Sequence, residues 1–162
     1  MVHKVSYRKA EKADAAILSM KLREADYSEL QAVHGIDVNV KQVLENAIEV
    51  SKEAVSGVDE SGSVVLMFGV SVFNEEKNIG CPWLLGSHDT PRYARQLVSD
   101  GKMFTKDWRG QFTGLLNFVD CRNETSIRWL KRIGFYIHEP IQMGVMGNMF
   151  HPFSMFKEIK DV

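Results

Sequence analysis

One segment, residues 115–135, constrains the fold of this chain more than any other. It begins with a short apolar run, residues 115–119, of the kind found in a buried central strand. Asn123 follows as a good helix N-cap, because its side-chain oxygen can accept a hydrogen bond from a free amide one turn on. Apolar residues then recur at helical spacing, and Gly134 comes next as a C-cap. The segment therefore predicts a buried strand, a short amphipathic helix and the start of another strand.

The same segment carries a family resemblance. Five of its residues match the Asn-x-x-small-x-x-large…Gly-Phe spacing of the second half of GNAT N-acetyltransferases: Asn123, Ser126, Trp129, Gly134 and Phe135. More closely, residues 116–139 resemble the small GNAT-like proteins of short-tailed phages, a group that includes an internal virion protein. The rest of the chain agrees with the family in element order alone. The resemblance implies an α/β (α+β) fold: a mixed, mostly antiparallel sheet with a central parallel strand pair, flanked by helices.

Length and composition favour one folded domain. The chain has 162 residues, of which 44% are hydrophobic and 25% charged, and these values are ordinary for a globular protein. We therefore expect residues 1–162 to form a single GNAT-like domain. The formal net charge of -1 gives no reason to expect nucleic-acid binding.

Cysteine and histidine usage argues against disulfide and metal sites. Cys81 and Cys121 lie far apart without a CxxC pattern, which favours a reducing compartment, and the histidines lack metal-ligand spacing. The first residues lack an apolar signal core, and no segment approaches the length of a membrane span. We therefore expect a cytosolic protein, and the resemblance to phage proteins implies that this is the cytoplasm of a host cell, or a virion assembled there.

The remaining elements follow from hydrophobic periodicity and turn residues. Asp14 and Asn39 are the predicted caps of the first and third helices. The turn predicted at residues 143–149 is rich in glycine and methionine, and either an adaptable contact surface or a mobile loop accounts for it. The predicted elements are strand 2–8, helices 10–23, 24–33 and 39–54, strands 55–57, 63–73 and 81–86, helix 92–110, and a last strand 150–159 after the segment above.

The resemblance also implies an acyl-CoA site between two parallel strands that splay apart, here residues 83–86 and 115–119. The gap would free backbone groups for the pantetheine arm, and the start of the next helix would offer amides to the diphosphate. The expected cofactor is acetyl-CoA. The residues expected to contact it are Leu84, Leu85, Gly86, Ser87, Thr90, Arg92, Asn123 and Ser126.

Two features depart from the family pattern. The glycine-rich diphosphate loop is absent: Gly86 is the only glycine there, and Asp89 would repel a diphosphate, although Arg92 and Arg95 could compensate. The tyrosine that protonates the departing thiolate in many family members is replaced by Leu130. From the sequence alone, acetyl-CoA binding therefore stays an open question.

An amine acceptor must lose a proton before or during attack, so the site needs a general base. His88, near the mouth of the strands, is the preferred candidate because histidine exchanges protons near neutral pH. Glu29 on an early helix is a second candidate. Tyr136 is close in sequence to position 130, where Leu130 replaces the tyrosine of the family. A solvated helix face explains each carboxylate as well, and a local loop hydrogen bond explains His88 equally. Other candidates for the base are Glu24, Asp89, His138 and Glu139.

Two functions are compatible with this sequence. The first is a phage-encoded N-acetyltransferase of GNAT type that transfers acetyl from acetyl-CoA to an amine of a protein or a small molecule. The second is a GNAT-fold protein without catalysis that serves as an internal virion or morphogenesis protein, or binds a host factor. The strand–Asn–helix–Gly-Phe signature and the strand order favour the first, which is the preferred interpretation. The missing loop and the missing tyrosine favour the second. The sequence leaves a homodimer open in either case.

Overall fold

The fold is organised around one mixed sheet, seen in a computed structural model that describes residues 3–156. Its eight strands have the order β1-β2-β3-β4-β5-β8-β6, and β7 pairs with β8. Every pairing is antiparallel except β4 with β5, which is parallel. The predicted sheet type is therefore confirmed. The strands are β1 (Ser6–Lys9), β2 (Glu53–Val58), β3 (Val64–Asn74), β4 (Ile79–Gly86), β5 (Gly114–Asp120), β6 (Tyr136–Ile137), β7 (Ile141–Met143) and β8 (Asn148–Phe156).

The helices form two groups, and each group packs on its own hydrophobic core. One core contains side chains such as Leu18, Leu30 and Leu44 under the first three helices, and the other contains Leu97 and Leu130 under the last two. No helix within residues 3–156 combines the length and the apolar character that a membrane span requires. The helices are α1 (Lys12–Ser19), α2 (Glu24–His34), α3 (Val40–Val50), α4 (Ala94–Gln111) and α5 (Glu124–Ile133).

The predicted strand, cap, helix and stop of residues 115–135 are all present. Asn123 caps α5, and its Oδ1 accepts a hydrogen bond from the Ser126 N–H at 3.3 Å. Gly134 ends the helix in the left-handed region with φ of 119°, where a side chain would be strained. The local signals in this segment agree with one another, which explains why it folds as predicted.

The first helix is shorter than predicted because the residues after Ser19 contact the end of β4. Leu22 forms an isolated antiparallel bridge with Ser87, and the Arg23 N–H donates to the Gly86 carbonyl at 2.9 Å. These bonds replace the helical bonds that a longer α1 would make. The chain between α1 and α2 therefore lies across the carboxyl end of β4.

Asp14 is not the cap of α1 but lies in its first turn. Its carboxylate accepts the Glu11 N–H at 2.8 Å, and it also holds the Arg8 guanidinium and the Ser56 hydroxyl at 2.7 Å each. The cap prediction was wrong because Asp14 serves these distant partners as well as the helix end. The Arg8 guanidinium and these hydrogen bonds outweigh burial and keep the pKa of Asp14 below its usual range.

Two further boundaries differ from the sequence prediction. The helix predicted over residues 92–110 is split into a 3-10 turn, Thr90–Tyr93, and α4. The third helix ends at Val50, since β2 already begins at Glu53. The predicted turn after β7 is present, with Gly144 and Gly147 at positive φ. Residue 2 of the first predicted strand and residues 157–159 of the last lie outside the described residues.

Candidate active site

The parallel strands β4 and β5 separate shortly after they meet. Their ladder contains only the pairs Ile79 with Gly114 and Gly80 with Leu115, although the strands continue to Gly86 and Asp120. The splay predicted between these strands is therefore confirmed. We call the resulting gap the fork. Separating two strands leaves backbone N–H and C=O groups without partners, and these groups must be satisfied in another way.

Asn117 lies where the strands diverge and satisfies groups of both. Its Nδ2 donates to the Pro82 carbonyl at 2.6 Å, and its Oδ1 accepts the Phe118 N–H at 2.8 Å. Backbone groups alternate in direction along a strand, so the N–H and C=O of Leu84 point into the fork like the carbonyl of Pro82. Sequence reasoning missed Asn117. Its signal was a single amide in an otherwise apolar strand run.

Two carboxylates of α2 accept hydrogen bonds from backbone N–H groups at the carboxyl ends of β4 and β5. Asp26 Oδ2 accepts the Gly86 N–H at the end of β4 at 2.8 Å. Glu29 Oε1 accepts the Asp120 N–H at the end of β5 at 2.6 Å. The two residues are three positions apart, so they share one face of the helix. The helix α2 therefore bridges the two diverging strands.

The two carboxylates have different electrostatic surroundings. Asp26 is paired with Arg23, whose Nη2 lies 2.6 Å from Asp26 Oδ1 and 3.1 Å from Ser126 Oγ. Glu29 forms no ion pair with a lysine or arginine within residues 3–156. Burial is the largest influence on Glu29 and raises its pKa to about 7. Glu29 is therefore a half-buried carboxyl group poised to exchange protons near neutral pH.

A cavity of about 340 Å³ extends from the fork onto both faces of the sheet. Its lining is mostly apolar, and its charged members are Asp26, Glu29 and Asp100. Among the described residues, no lysine or arginine lines it. Toward α4 and α5 the lining includes Leu97, Phe104, Trp108, Trp129, Leu130 and Ile133; toward α2 and α3 it includes Leu30, Val33, Val43, Ala47, Phe118 and Phe150.

The residues expected to contact the pantetheine arm lie at the fork. Leu84, Leu85 and Ser126 line the cavity, while Gly86 ends β4 with its N–H and C=O bonded to α2 and the chain before it. Asn123 is buried as the cap of α5. A flexible, mostly apolar arm with amide groups fits this gap, because the backbone of Leu84 offers both a donor and an acceptor there.

The loop after β4 is less suited to a diphosphate. All its backbone N–H groups from residue 87 to 92 donate within the protein: Ser87 to Val65 O, His88 to Lys21 O, Asp89 to Ser87 Oγ, Thr90 to Ser87 O and Arg92 to Asp89 O, with Pro91 having none. The Thr90 hydroxyl is also used, donating to Ser87 O at 2.7 Å. A diphosphate would therefore have to be held by the exposed side chains of Arg92 and Arg95 rather than by the loop backbone.

The three predicted catalytic residues are not brought together. Glu29 lines the cavity. The His88 side chain is 69% exposed and its Nδ1 lies 3.3 Å from Lys21 O. Tyr136 is 67% exposed and packs edge-on against His138. Neither His88 nor Tyr136 lines the cavity, so their catalytic roles stay predictions without a contact to the fork.

Comparison with known proteins gives a fold assignment. No protein-family model matches the sequence, and no curated protein matches it. Solved structures do match. A phosphinothricin acetyltransferase of the GNAT superfamily from Sinorhizobium meliloti, in complex with acetyl-CoA, superposes with a TM-score of 0.69 at 15% identity, over 96% of this chain and 89% of that one. A ribosomal-protein-alanine N-acetyltransferase from Brucella melitensis gives 0.70 at 16% identity, over 94% and 99%.

A spermidine N-acetyltransferase from Vibrio cholerae, in complex with CoA and spermine, gives a TM-score of 0.70 at 9% identity, over 94% of this chain and 95% of that one. Identities this low establish the fold and leave the activity open. The GNAT fold predicted from the sequence is therefore confirmed.

Proposed function

We propose that this chain is an acetyl-CoA-dependent N-acetyltransferase in which Glu29 is the general base. The observation that supports this most is the position of Glu29, a carboxyl group with a pKa of about 7 at the end of the fork. A base whose pKa lies near the working pH combines a large ionised fraction with a useful affinity for protons. Two of the structurally similar proteins were solved in complex with acetyl-CoA or CoA, which is consistent with the proposal.

The bound cofactor would supply an acetyl thioester, whose carbon–sulfur bond breaks as the amide bond to the acceptor nitrogen forms. Glu29 has one oxygen on the Asp120 N–H, so its second oxygen is available to the acceptor. It takes a proton from the ammonium form of the acceptor, which frees the nitrogen lone pair for attack. The Asp120 N–H fixes the orientation of the carboxylate during this transfer.

The acceptor nitrogen loses a second proton as the amide forms, and an equivalent proton neutralises the departing thiolate. Leu130 lines the cavity at the position where many GNAT enzymes have a tyrosine, and it has no proton to give. Water is then the proton carrier to the thiolate, which is adequate because a thiolate is a stable leaving group at neutral pH. Leu84 would orient the arm through its backbone, and Arg92 would meet the diphosphate at the surface.

The proposal is tested by ligand binding and by turnover. Millimolar acetyl-CoA should raise the melting temperature of the protein, since a ligand that binds only the folded state stabilises it. Thiol release in the presence of a panel of amines should be detectable and should fall at least about a hundredfold in Glu29→Gln, the range that general-base catalysis contributes. No thermal shift and no thiol release at millimolar donor would refute the proposal.

S-acetylpantetheine is a matched probe of the loop. Because the loop N–H groups are all used within the protein, the nucleotide half of the cofactor has few partners. We therefore expect acetyl-CoA and S-acetylpantetheine to have kcat/KM values within about tenfold of each other, which is about 1.4 kcal/mol. A loss of a thousandfold or more with S-acetylpantetheine would show that the loop binds the diphosphate after all.

The same loop supports a second candidate function, a GNAT-fold protein without catalysis. Two observations support it: the backbone N–H groups of residues 87–92 all donate within the protein where they have a hydrogen, and Leu130 replaces the tyrosine that would donate a proton. Phage origin and packaging in a virion depend on the sequence resemblance alone, because the structural neighbours named above are not phage proteins. Detection of the chain in purified virions, together with failure of both donors to bind, would favour this alternative.

A further inference from the structure

The charges around the cavity restrict the acceptor more than the fold does. Three carboxyl groups line it, and within residues 3–156 no lysine or arginine does. Two guanidinium groups beside the lining are already paired: that of Arg23 is held by Asp26 and Ser126, and that of Arg122 by Asp120. Asp100 accepts the hydroxyl of Tyr7. Asp100 lies on α4, toward the other side of the cavity, and only its Oδ2 is used in this way. The remaining titratable group of the lining, His34, is exposed at the end of α2. On the α2 side, Glu29 is therefore the carboxylate with an oxygen that no side chain or backbone group of the described residues occupies.

We infer that the acceptor is a primary amine carried on an uncharged, apolar body, with a single positive charge and no anionic group. This inference depends on the proposed function, because it assigns the α2 side of the cavity to the acceptor. A half-buried carboxylate without a counter-ion is partly desolvated, and an ammonium group beside it offsets that cost. The ammonium of the acceptor thus completes the ion pair that Glu29 lacks in the protein.

An anionic group next to the amine is disfavoured at this site. An amino acid would bring its carboxylate near Glu29 and Asp26, and no cationic side chain of the lining could receive it. Like charges in a poorly solvated cavity repel strongly, and a buried anion without a partner is also desolvated. The site therefore discriminates against the carboxylate of an amino acid by repulsion as well as by lost contacts.

A second ammonium group is also disfavoured. Asp26 is 1% exposed, and its oxygens are occupied by Arg23 and the Gly86 N–H. A second cation on the ligand would find no further free carboxylate on the α2 side. The site therefore favours a monoamine over a polyamine.

The wall on the α2 side is apolar and suits the body of such an amine. Leu30 and Val33 of α2, Val43 and Ala47 of α3, and Phe118 and Phe150 of the sheet line it. Burying an aromatic or alkyl group against these side chains removes apolar surface from water and so favours binding. A free monoamine and a lysine side chain share this chemistry, and both belong in the test.

The experiment compares probes that differ by one group. 2-Phenylethylamine carries the ammonium alone, L-phenylalanine adds a carboxylate to the same body, and 2-phenylethanol replaces the ammonium with a hydroxyl. Spermidine supplies several charges, and Nα-acetyl-lysine amide supplies the lysine source. Binding of each is measured by calorimetry with the wild-type chain and with Glu29→Gln, and acetylation of each is measured separately with acetyl-CoA.

We expect 2-phenylethylamine to bind at least tenfold more tightly than L-phenylalanine, 2-phenylethanol and spermidine, and we expect Glu29→Gln to remove at least tenfold of that affinity. If Nα-acetyl-lysine amide binds more tightly than 2-phenylethylamine, the acceptor amine is that of a lysine side chain and not of a free monoamine, and the inference is upheld. The matched control is Glu24→Gln. Glu24 was a candidate base from the sequence, but it is exposed on the same helix and does not line the cavity, so this variant should bind the monoamine like the wild type.

The outcomes separate this inference from the proposed function. Preferential monoamine binding without any acetylation would refute the acetyltransferase, and with it the assignment of the amine as acceptor, but would uphold the selectivity of the site for a monoamine. Acetylation of L-phenylalanine or spermidine with a higher kcat/KM than 2-phenylethylamine would uphold the enzyme and overturn the inference. Equal affinity for all five probes, or monoamine binding that is unchanged in Glu29→Gln, would also overturn it.

Discussion

Replacing Glu29 with glutamine should change the pH dependence of stability in a calculable way. Burial raises the pKa of Glu29 from the ordinary 4.5 to about 7. Between these two pH values the folded chain holds a proton that the unfolded chain has lost, so stability falls as the pH rises through this window. At about 1.4 kcal/mol per pH unit, the loss across the window is about 3 kcal/mol. Below the window both states are protonated, and above it both are ionised.

Glu29→Gln removes this slope and keeps the local geometry. The glutamine oxygen can still accept the Asp120 N–H, and the side chain stays neutral at every pH. The stability of the variant relative to wild type should therefore rise by about 3 kcal/mol between pH 4.5 and 8, equivalent to roughly 6–12 °C in Tm for a chain of this size. Thermal and urea unfolding at a series of pH values measure the difference.

The control for this experiment is Glu24→Gln, an exposed glutamate in the first turn of α2. Its substitution should change stability by no more than about 0.5 kcal/mol at any pH in the series. A flat difference between Glu29→Gln and wild type from pH 4.5 to 8 would refute the reasoning. It would mean that Glu29 ionises as freely in the folded chain as in the unfolded chain, which removes the argument for its role as base.

Three further substitutions test other parts of the structure. Gly101→Ala should destabilise, because the new Cβ would lie 2.6 Å from Ile133 Cδ1, whereas Gly110→Ala in the same helix meets nothing within 4 Å and should stabilise by up to about 1 kcal/mol in urea unfolding. Asn117→Leu should cost about 2–4 kcal/mol, since it leaves one carbonyl and one N–H of the fork unpaired, and an unchanged urea midpoint would contradict this. His88→Ala should leave acetylation within about threefold of wild type, because its side chain is exposed outside the cavity, and a loss of a hundredfold would restore His88 as the base.

The sequence predicted best those parts of the fold that depend on local interactions. The strand before Asn123, the helix it caps and the glycine that ends the helix all follow from hydrophobic spacing and capping within residues 115–135. The splay of β4 and β5 was predicted as well, although it came from the family resemblance and not from any residue pattern. Element boundaries shifted where distant residues compete for the backbone, as at the end of α1.

The roles of the site residues could not be predicted in the same way, because they depend on contacts between distant parts of the chain. Glu29 and Asp120 are 91 positions apart, and Arg23 and Ser126 are 103 apart. A carboxylate on a predicted helix is usually solvated, and only the placement of α2 across the fork withdraws Glu29 partly from solvent. His88 was preferred because histidine as a residue type exchanges protons near neutral pH, yet its side chain is exposed outside the cavity. Asn117 could have been suspected, since a lone amide in a buried strand needs partners.

The fork itself explains why these polar residues occur together. Two diverging strands leave N–H and C=O groups in an apolar cavity, and each unpaired group would cost about 1–3 kcal/mol. Asn117, Asp26 and Glu29 satisfy four of them, so the residues that hold the fork open also set its charge. The backbone of Leu84 is a part of the strand edge that they leave free, and a ligand with amide groups can complete it. Stability and binding therefore depend on the same hydrogen bonds, and a substitution that closes the fork should lose both together.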